Sequence, residues 1–291
     1  MHKNIIMKTI LVPTDFSKCS LNALNFAVHI AKQSGSKIHL THSVHVPIDW
    51  AYPEMTSAGS MALGYDNQGA YYPTMKTVEQ KAKKQLEKLK NTITKKGVSV
   101  DYSVSYQFMV TNVIKTAKKV NAGMVVMGTK GASGMKEMLI GSNTEKVIRQ
   151  SETSVLVVPD KFKKTKIKKL LFATNFELLK NNTLKKLDEA RALFKADVEF
   201  LYVNVPNYFE TSFDIENQKE KFYKANKLKN NPFYIYCDLS IDQGIVNFSK
   251  KDSADLIALE THGRSGINHM LNGSIAENVC NHTEKAVLII K

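Results

Sequence analysis

Cysteine is scarce: Cys19, Cys237 and Cys280 are the only three in 291 residues, an odd number with no close spacing. A disulfide scaffold is therefore excluded, and thiols packed as small apolar groups in a reducing compartment are expected. Glycine (14) and proline (7) are too few for a collagen-like or proline-rich disordered chain, and 43% apolar residues are enough to build cores. No stretch reaches the roughly 18–20 uninterrupted apolar residues of a membrane span. Residues 1–8 lack the basic, apolar and small-residue order of a signal peptide. The chain is accordingly expected to be soluble and cytoplasmic, with no membrane partner.

Acidic residues are also short, 27 against 41 basic, which leaves +14. Such an excess invites a nucleic-acid reading. It is unevenly placed: residues 1–160 hold 20 basic and 11 acidic side chains, residues 161–169 hold six lysines and no acid, and residues 170–291 hold 15 basic and 16 acidic. The charge belongs to the first half and one short segment. No motif of basic residues interleaved with stacking aromatics accompanies it, so nucleic acid is not the expected partner.

What the chain does have is a repeat. Ile10-Leu11-Val12-Pro13-Thr14-Asp15-Phe16 is matched 160 residues later by Leu170-Leu171-Phe172-Ala173-Thr174-Asn175-Phe176. Gly131, Gly141-Ser142 and Val155–Val158 are matched 132 residues later by Gly263, Gly273-Ser274 and Val287–Ile290. The first copy thus carries 28 additional residues, assigned to the aperiodic stretch 47–75 with its Pro, Gly, Tyr and Met. The expected organisation is one domain at 1–160, a lysine-rich linker at 161–169 and a second domain at 170–291.

Within the first copy, residues 8–14 form a continuous apolar run, as in a strand buried on both faces. Leu21, Leu24, Val28 and Ala31 follow with helical spacing, then a strand at 38–44 and a long amphipathic helix on Val78, Ala82, Leu86, Leu89 and Ile93. A strand at 98–106, a helix at 111–120, a strand at 124–127, a helix at 143–150 and a strand at 155–158 complete the pattern. Strand–helix alternation predicts an α/β fold with parallel pairing and helices on both faces. Two tandem open five-stranded parallel sheets of Rossmann-like type are expected. Their ligands belong beyond the strand C-termini, where strand order reverses.

At the end of the fourth strand stands Gly128-Thr129-Lys130-Gly131, followed by Gly141-Ser142, the spacing G-x2-G-x9-G-S. Glycine lets a backbone approach a ligand closely. A helix opening after Gly141 offers amides and a dipole to phosphate. Ser142 and Glu145, and likewise Ser274 and Glu277, have the spacing of a capping box. By themselves these features are equally consistent with two turns and a cap that bind nothing.

The strand ending Pro13-Thr14-Asp15-Phe16-Ser17, together with the glycine spacing before a helix and a terminal valine-rich strand, resembles the universal stress protein family over essentially the whole chain, in tandem form. The resemblance is to the ATP-binding branch, whose fold is similar to that of the adenine nucleotide alpha hydrolases. It implies ATP, with or without Mg2+, as ligand of the first domain. By the same resemblance, Asp15, preceded by Pro13 and Thr14, lies near the adenosine moiety, and Ser43 lies beside adenine. Gly128 approaches the ribose and α-phosphate, and Met127 before it is nucleotide-binding. Gly131, Gly141, Ser142 and Asn143 line the phosphates, where Lys130 adds a charge. Gln107-Phe108-Met109 replaces a Gly-x-Pro turn common in the family, and Gly123 replaces a common aspartate.

The second copy is degenerate. Asn175 replaces the aspartate and Glu260 the first glycine, while Gly263, Gly273 and Ser274 remain. A Glu260 carboxylate near the phosphate region would repel an anion, so nucleotide is expected mainly in the first domain. His39, His42 and His45 look like a metal cluster, but strand alternation turns His42 away from the other two, so no metal site is expected. The lysines at 81–96 read as a solvated helix face, and the 47–75 stretch as either a lid or a dimer contact. The terminal strands, Val155–Val158 and Val287–Ile290, are expected to pair within the chain, leaving a pseudo-dimeric monomer or a further homodimer.

The first functional reading is an ATP-binding regulatory, stress-response module acting through a protein partner. The second is a slow ATP hydrolase. No Walker lysine motif and no carboxylate pair at the phosphate end support fast turnover, so no catalytic residue is assigned. A nucleic-acid binder, on the strength of the charge, is the third, with a nucleotide-free dimeric scaffold beside it.

Overall fold

A computed structural model of the chain describes residues 9–44, 75–129, 140–176, 179, 181–228, 231–252, 254–261 and 273–291. The first half supplies β1 (Thr9–Pro13), α1 (Lys18–Ser34), β2 (Lys37–Ser43), α2 (Met75–Thr94), β3 (Val100–Ser105), α3 (Met109–Lys119), β4 (Met124–Gly128), α4 (Ser142–Gln150) and β5 (Val155–Val158). The second supplies β6 (Lys169–Ala173), α5 (Asn181–Phe194), β7 (Asp197–Asn204), a 3-10 turn (Pro206–Tyr208), α6 (Ser212–Ala225), β8 (Phe233–Cys237), α7 (Ile241–Lys251), β9 (Leu256–Glu260), α8 (Gly273–His282) and β10 (Ala286–Ile290). The alternation read from apolar spacing is the alternation found.

The strands form one ten-stranded sheet in the order β3-β2-β1-β4-β5-β10-β9-β6-β7-β8. All pairings are parallel except β5 with β10, which run antiparallel with Leu156 opposite Leu288. The two five-stranded sheets are therefore continuous, joined through the terminal strands as their apolar edges required. All the side chains of Val155–Val158 and Val287–Ile290 are buried, each worth about 1.5–3 kcal/mol relative to exposure. Two cores result, one on each face, and both run through both halves. Ile10, Val12, Leu156, Phe172 and Leu288 lie in one. Leu11, Val125, Val157, Ile257 and Ile289 lie in the other.

Local chemistry places the elements. Ser17, extended at φ −65°, caps α1 by accepting from the Ser20 amide (3.2 Å), and Gly35 ends it at φ +70°. The lysine-rich segment between the halves is packed down: Phe162 and Ile167 are buried, and Asn22 donates to the carbonyls of Pro159, Asp160 and Phe162. Asp255 takes Lys164 and the amides of Lys168 and Lys169. Among the described residues no helix is long and apolar enough to cross a membrane.

Candidate functional site

In the first half, strand order reverses between β1 and β4, so a crevice forms where the chain leaves both strands. On the β1 side, the Thr14 amide donates to the Thr41 carbonyl (2.9 Å) and the Thr14 hydroxyl accepts from the Phe16 amide (3.1 Å). Asp15 is exposed and accepts from the Ser17 amide (3.0 Å). This tight exit forces Phe16 to φ +63°, a left-handed conformation unusual for a bulky residue. Phe176 repeats it at +63°, with its amide on Thr174. Strain kept at both switch points marks them as over-determined places in the fold.

His42 lies over this turn. Its Nδ1 donates to the Thr14 carbonyl (2.7 Å), and its ring sits 4.7 Å from that of Phe16. His39 faces the other side of the sheet. Its Nε2 shares a hydrogen bond with the Ser103 hydroxyl (3.0 Å), and burial lowers its pKa. The two histidines are thus on opposite faces, while His45 lies outside the described residues. Among the described residues no three metal-ligating side chains converge.

Ser43 belongs to a buried polar network on the His39 side. Asn112 of α3 donates to Thr41 (3.0 Å) and Ser43 (2.9 Å), and Thr116 donates to Asn112 (3.0 Å). Thr41 shares a further bond with Ser103 (3.1 Å). The polar alternation of β2 hinted at this network, but Asn112 on a helix gave no local signal.

On the β4 side, Met127 and Gly128 are buried. A Cβ on Gly128 would lie 2.5 Å from the Cys19 sulfur and 3.0 Å from the Cys19 carbonyl oxygen. The glycine thus lets α1 lie flush on the strand end, whatever else it does. Thr129 continues the strand, and the Gly141 amide returns to its carbonyl (2.5 Å). The buried Thr144 hydroxyl then donates to the Gly128 carbonyl (3.0 Å), fastening the first turn of α4 to β4. Ser142 and Asn143 are exposed at that helix start. Lys130 and Gly131 lie outside the described residues, as do residues 47–74 of the inserted stretch.

Two expectations are corrected. Ser142 does not cap α4: Gly141 is the N-cap, with φ −61° and ψ 139°, and its carbonyl accepts from Thr144 and Glu145. Ser142 is the first helical residue, and Glu145 pairs with Arg149 (3.1 Å) instead of reaching back. In the second half Ser274 likewise lies inside α8, and Glu277 binds Arg149 of the first half at 2.6 and 2.7 Å. Nor does Glu260 stand open in the second crevice. It is buried, and its carboxylate accepts from Thr183 in the first turns of α5.

The second crevice differs in its lining too. Ala173, Thr174, Asn175, Leu201, Tyr202, Val203 and Ile241 surround a small hollow at the ends of β6 and β7. Gly273 opens α8, and Gly263 lies outside the described residues.

The model of the universal stress protein family matches residues 7–159 and again 166–291. The chain belongs to that family. Universal stress protein Slr1230 of Synechocystis is 23% identical over 98% of this chain and 100% of its own length, so it shares the tandem organisation. Universal stress protein MJ0531 of Methanocaldococcus jannaschii is 28% identical over 53% of this chain and 82% of its own. The crystal structure of a universal stress protein from Archaeoglobus fulgidus superposes with a TM-score of 0.67 at 18% identity, covering 98% of this chain and 96% of that one. At that identity it bears on the fold alone. This universal stress protein is thus a tandem whose two crevices share a frame and differ in lining.

Proposed function

We propose that the chain is an ATP-binding regulatory module of the stress response, with the nucleotide held in the crevice of the first half. The observation that carries this reading is the joint at β4 and α4. Thr144 and Gly141 tie the helix start to the strand end, so α4 opens beside the end of β4, where a helix start favours an anion. Exposed Ser142 and Asn143 add side-chain donors there. Among the described residues the acid at the opposite rim is Asp15, suited to ribose or base hydroxyl and amino donors. This donor set fits a nucleotide lying with its nucleoside toward Pro13, Thr14, Asp15 and Ser43. Its phosphates lie toward Gly128, Gly141, Ser142 and Asn143, and Lys130 and Gly131 complete that end by the glycine spacing. ATP, with or without Mg2+, is the proposed ligand.

Occupancy would alter which partner the crevice rim presents, and no catalytic residue is assigned. Titration calorimetry with ATP tests the reading. One site per chain is expected, abolished by Gly131→Val and retained in Asn175→Ala. Two equivalent sites, or none, would refute it. Mass spectrometry of nucleotide released from the purified protein gives an independent check, and a single-turnover assay separates binding from slow hydrolysis.

A further inference from the structure

Resting on that nucleotide reading, we propose that Asn281, in the degenerate half, is a positioning residue for the phosphate end of the first half's site. The Asn281 side-chain oxygen accepts the backbone N–H of Ile140 (2.5 Å), the residue that leads into Gly141 and Ser142. The next amide, of Gly141, is bonded to Thr129 of its own half. The entry to α4 is therefore held from both sides, once by β4 and once by α8.

The rest of α4 is held from the same direction. Arg149 makes its two bonds to Glu277, which is largely buried. Lys291 donates to the Ile148 carbonyl near the helix C-terminus, where a cation is favoured. The second half thus grips this helix at its entry, its last turn and its end.

The grip has no counterpart built from the same positions of the first half. Arg149 occupies the place of Asn281, and Pro159 that of Lys291. A guanidinium accepts no N–H, and proline has no ammonium group. Each half has kept different chemistry at one pair of equivalent sites. The half whose glycine became Glu260 is the one that supplies the acceptor.

Direction follows from placement. A shift at Ile140 moves the amides of Ser142 and Asn143, which meet phosphate. It leaves the Thr14 turn, held by Thr41 and His42, where it is. Asn281 therefore affects affinity for phosphate and not for nucleoside.

The test uses the full chain. Amide exchange of ligand-free protein is followed at Ile140, and calorimetry is run with ATP and with adenosine. Asn281→Leu is expected to accelerate exchange at Ile140 and to weaken ATP, each by about fivefold as for one lost hydrogen bond, with adenosine unchanged. Asn281→Asp keeps an acceptor and is expected to keep Ile140 protected. Unchanged exchange in Asn281→Leu, or equal weakening of ATP and adenosine, overturns the proposal. If the unaltered chain binds no ATP, the nucleotide reading fails by itself, while the exchange pair still decides whether α8 holds the entry to α4.

Discussion

His39 and Glu199 occupy equivalent places, 160 residues apart, His39 half-buried and Glu199 buried. Burial acts on both and moves them oppositely. It lowers the His39 pKa from 6.5 and raises the Glu199 pKa from 4.5. Around His39 lie Ser103 and the network of Thr41, Ser43, Asn112 and Thr116, with Asp101 and Lys119 as nearby charges. Around Glu199 lie Lys169 (3.1 Å), Asp252 and Tyr234. Where the first half has Thr41, Ser43 and Asn112, the second has Leu201, Val203 and Gly244. One frame thus tolerates a hydroxyl-and-amide layer in one copy and an apolar layer with one ion cluster in the other. A mixture of the two is expected to be destabilising, because a partly satisfied polar layer costs more than an apolar one.

The largest test of that statement is Gly244→Asn. A Cβ there would lie 2.4 Å from a Val203 methyl, so overpacking of about 3 kcal/mol is expected in chemical denaturation. Combining it with Leu201→Thr and Val203→Ser copies the first-half layer and should recover most of the loss. No recovery would show that the layers are not interchangeable units.

The reverse change, Asn112→Leu, leaves Thr41 and Ser43 without their donor and is expected to cost about 2 kcal/mol. Its effect on ATP affinity, measured alongside, shows whether Ser43 must be held to serve the nucleoside end.

Smaller effects are expected from pH. A lowered His39 pKa means that its stabilising contribution is present above 6.5 and is lost as pH falls through the folded value. A raised Glu199 pKa means the converse: its contribution is present below 4.5 and is lost as pH rises through the folded value. Against the unaltered chain, His39→Gln should therefore gain relative stability on acidification, and Glu199→Gln on alkalinisation. Melting temperatures across pH 4–8 that move the same way for both would break the comparison. The smallest effect belongs to the exposed pair Lys161–Glu284 (3.4 Å). Lys161→Ala should change stability by no more than about 0.5 kcal/mol, and less in high salt.

Much of this is legible in the sequence. The strand–helix alternation, the repeat and the pairing of Val155–Val158 with Val287–Ile290 follow from apolar periodicity and from edges too apolar to stay open. The turn at Pro13-Thr14-Asp15-Phe16 was legible as a motif, although the left-handed Phe16 was not, since nothing in its side chain favours that conformation. The failures have two causes. At α4 the competition is local, since Gly141 takes the cap and Glu145 pairs with Arg149 one turn on, whereas Glu277 is claimed by the same Arg149 across 128 residues. Glu260 found Thr183 at a separation of 77, and Asn281 found Ile140 at 141. Side-chain partners that meet only after the sheet closes leave no periodicity to read.

The antiparallel join of β5 and β10 has one more consequence. It sets the end of β5 and the start of β6 on the same rim, three strand spacings apart, roughly 14 Å. Ten residues cross that distance without strain. Two separate copies meeting by this join would obey a twofold axis, and each residue would have to serve in two identical roles. Covalent connection removes that obligation and makes the contact independent of protein concentration. Arg149 and Asn281, once the same position, are then free to specialise: one ties the halves together, and the other can be spent on its neighbour's helix.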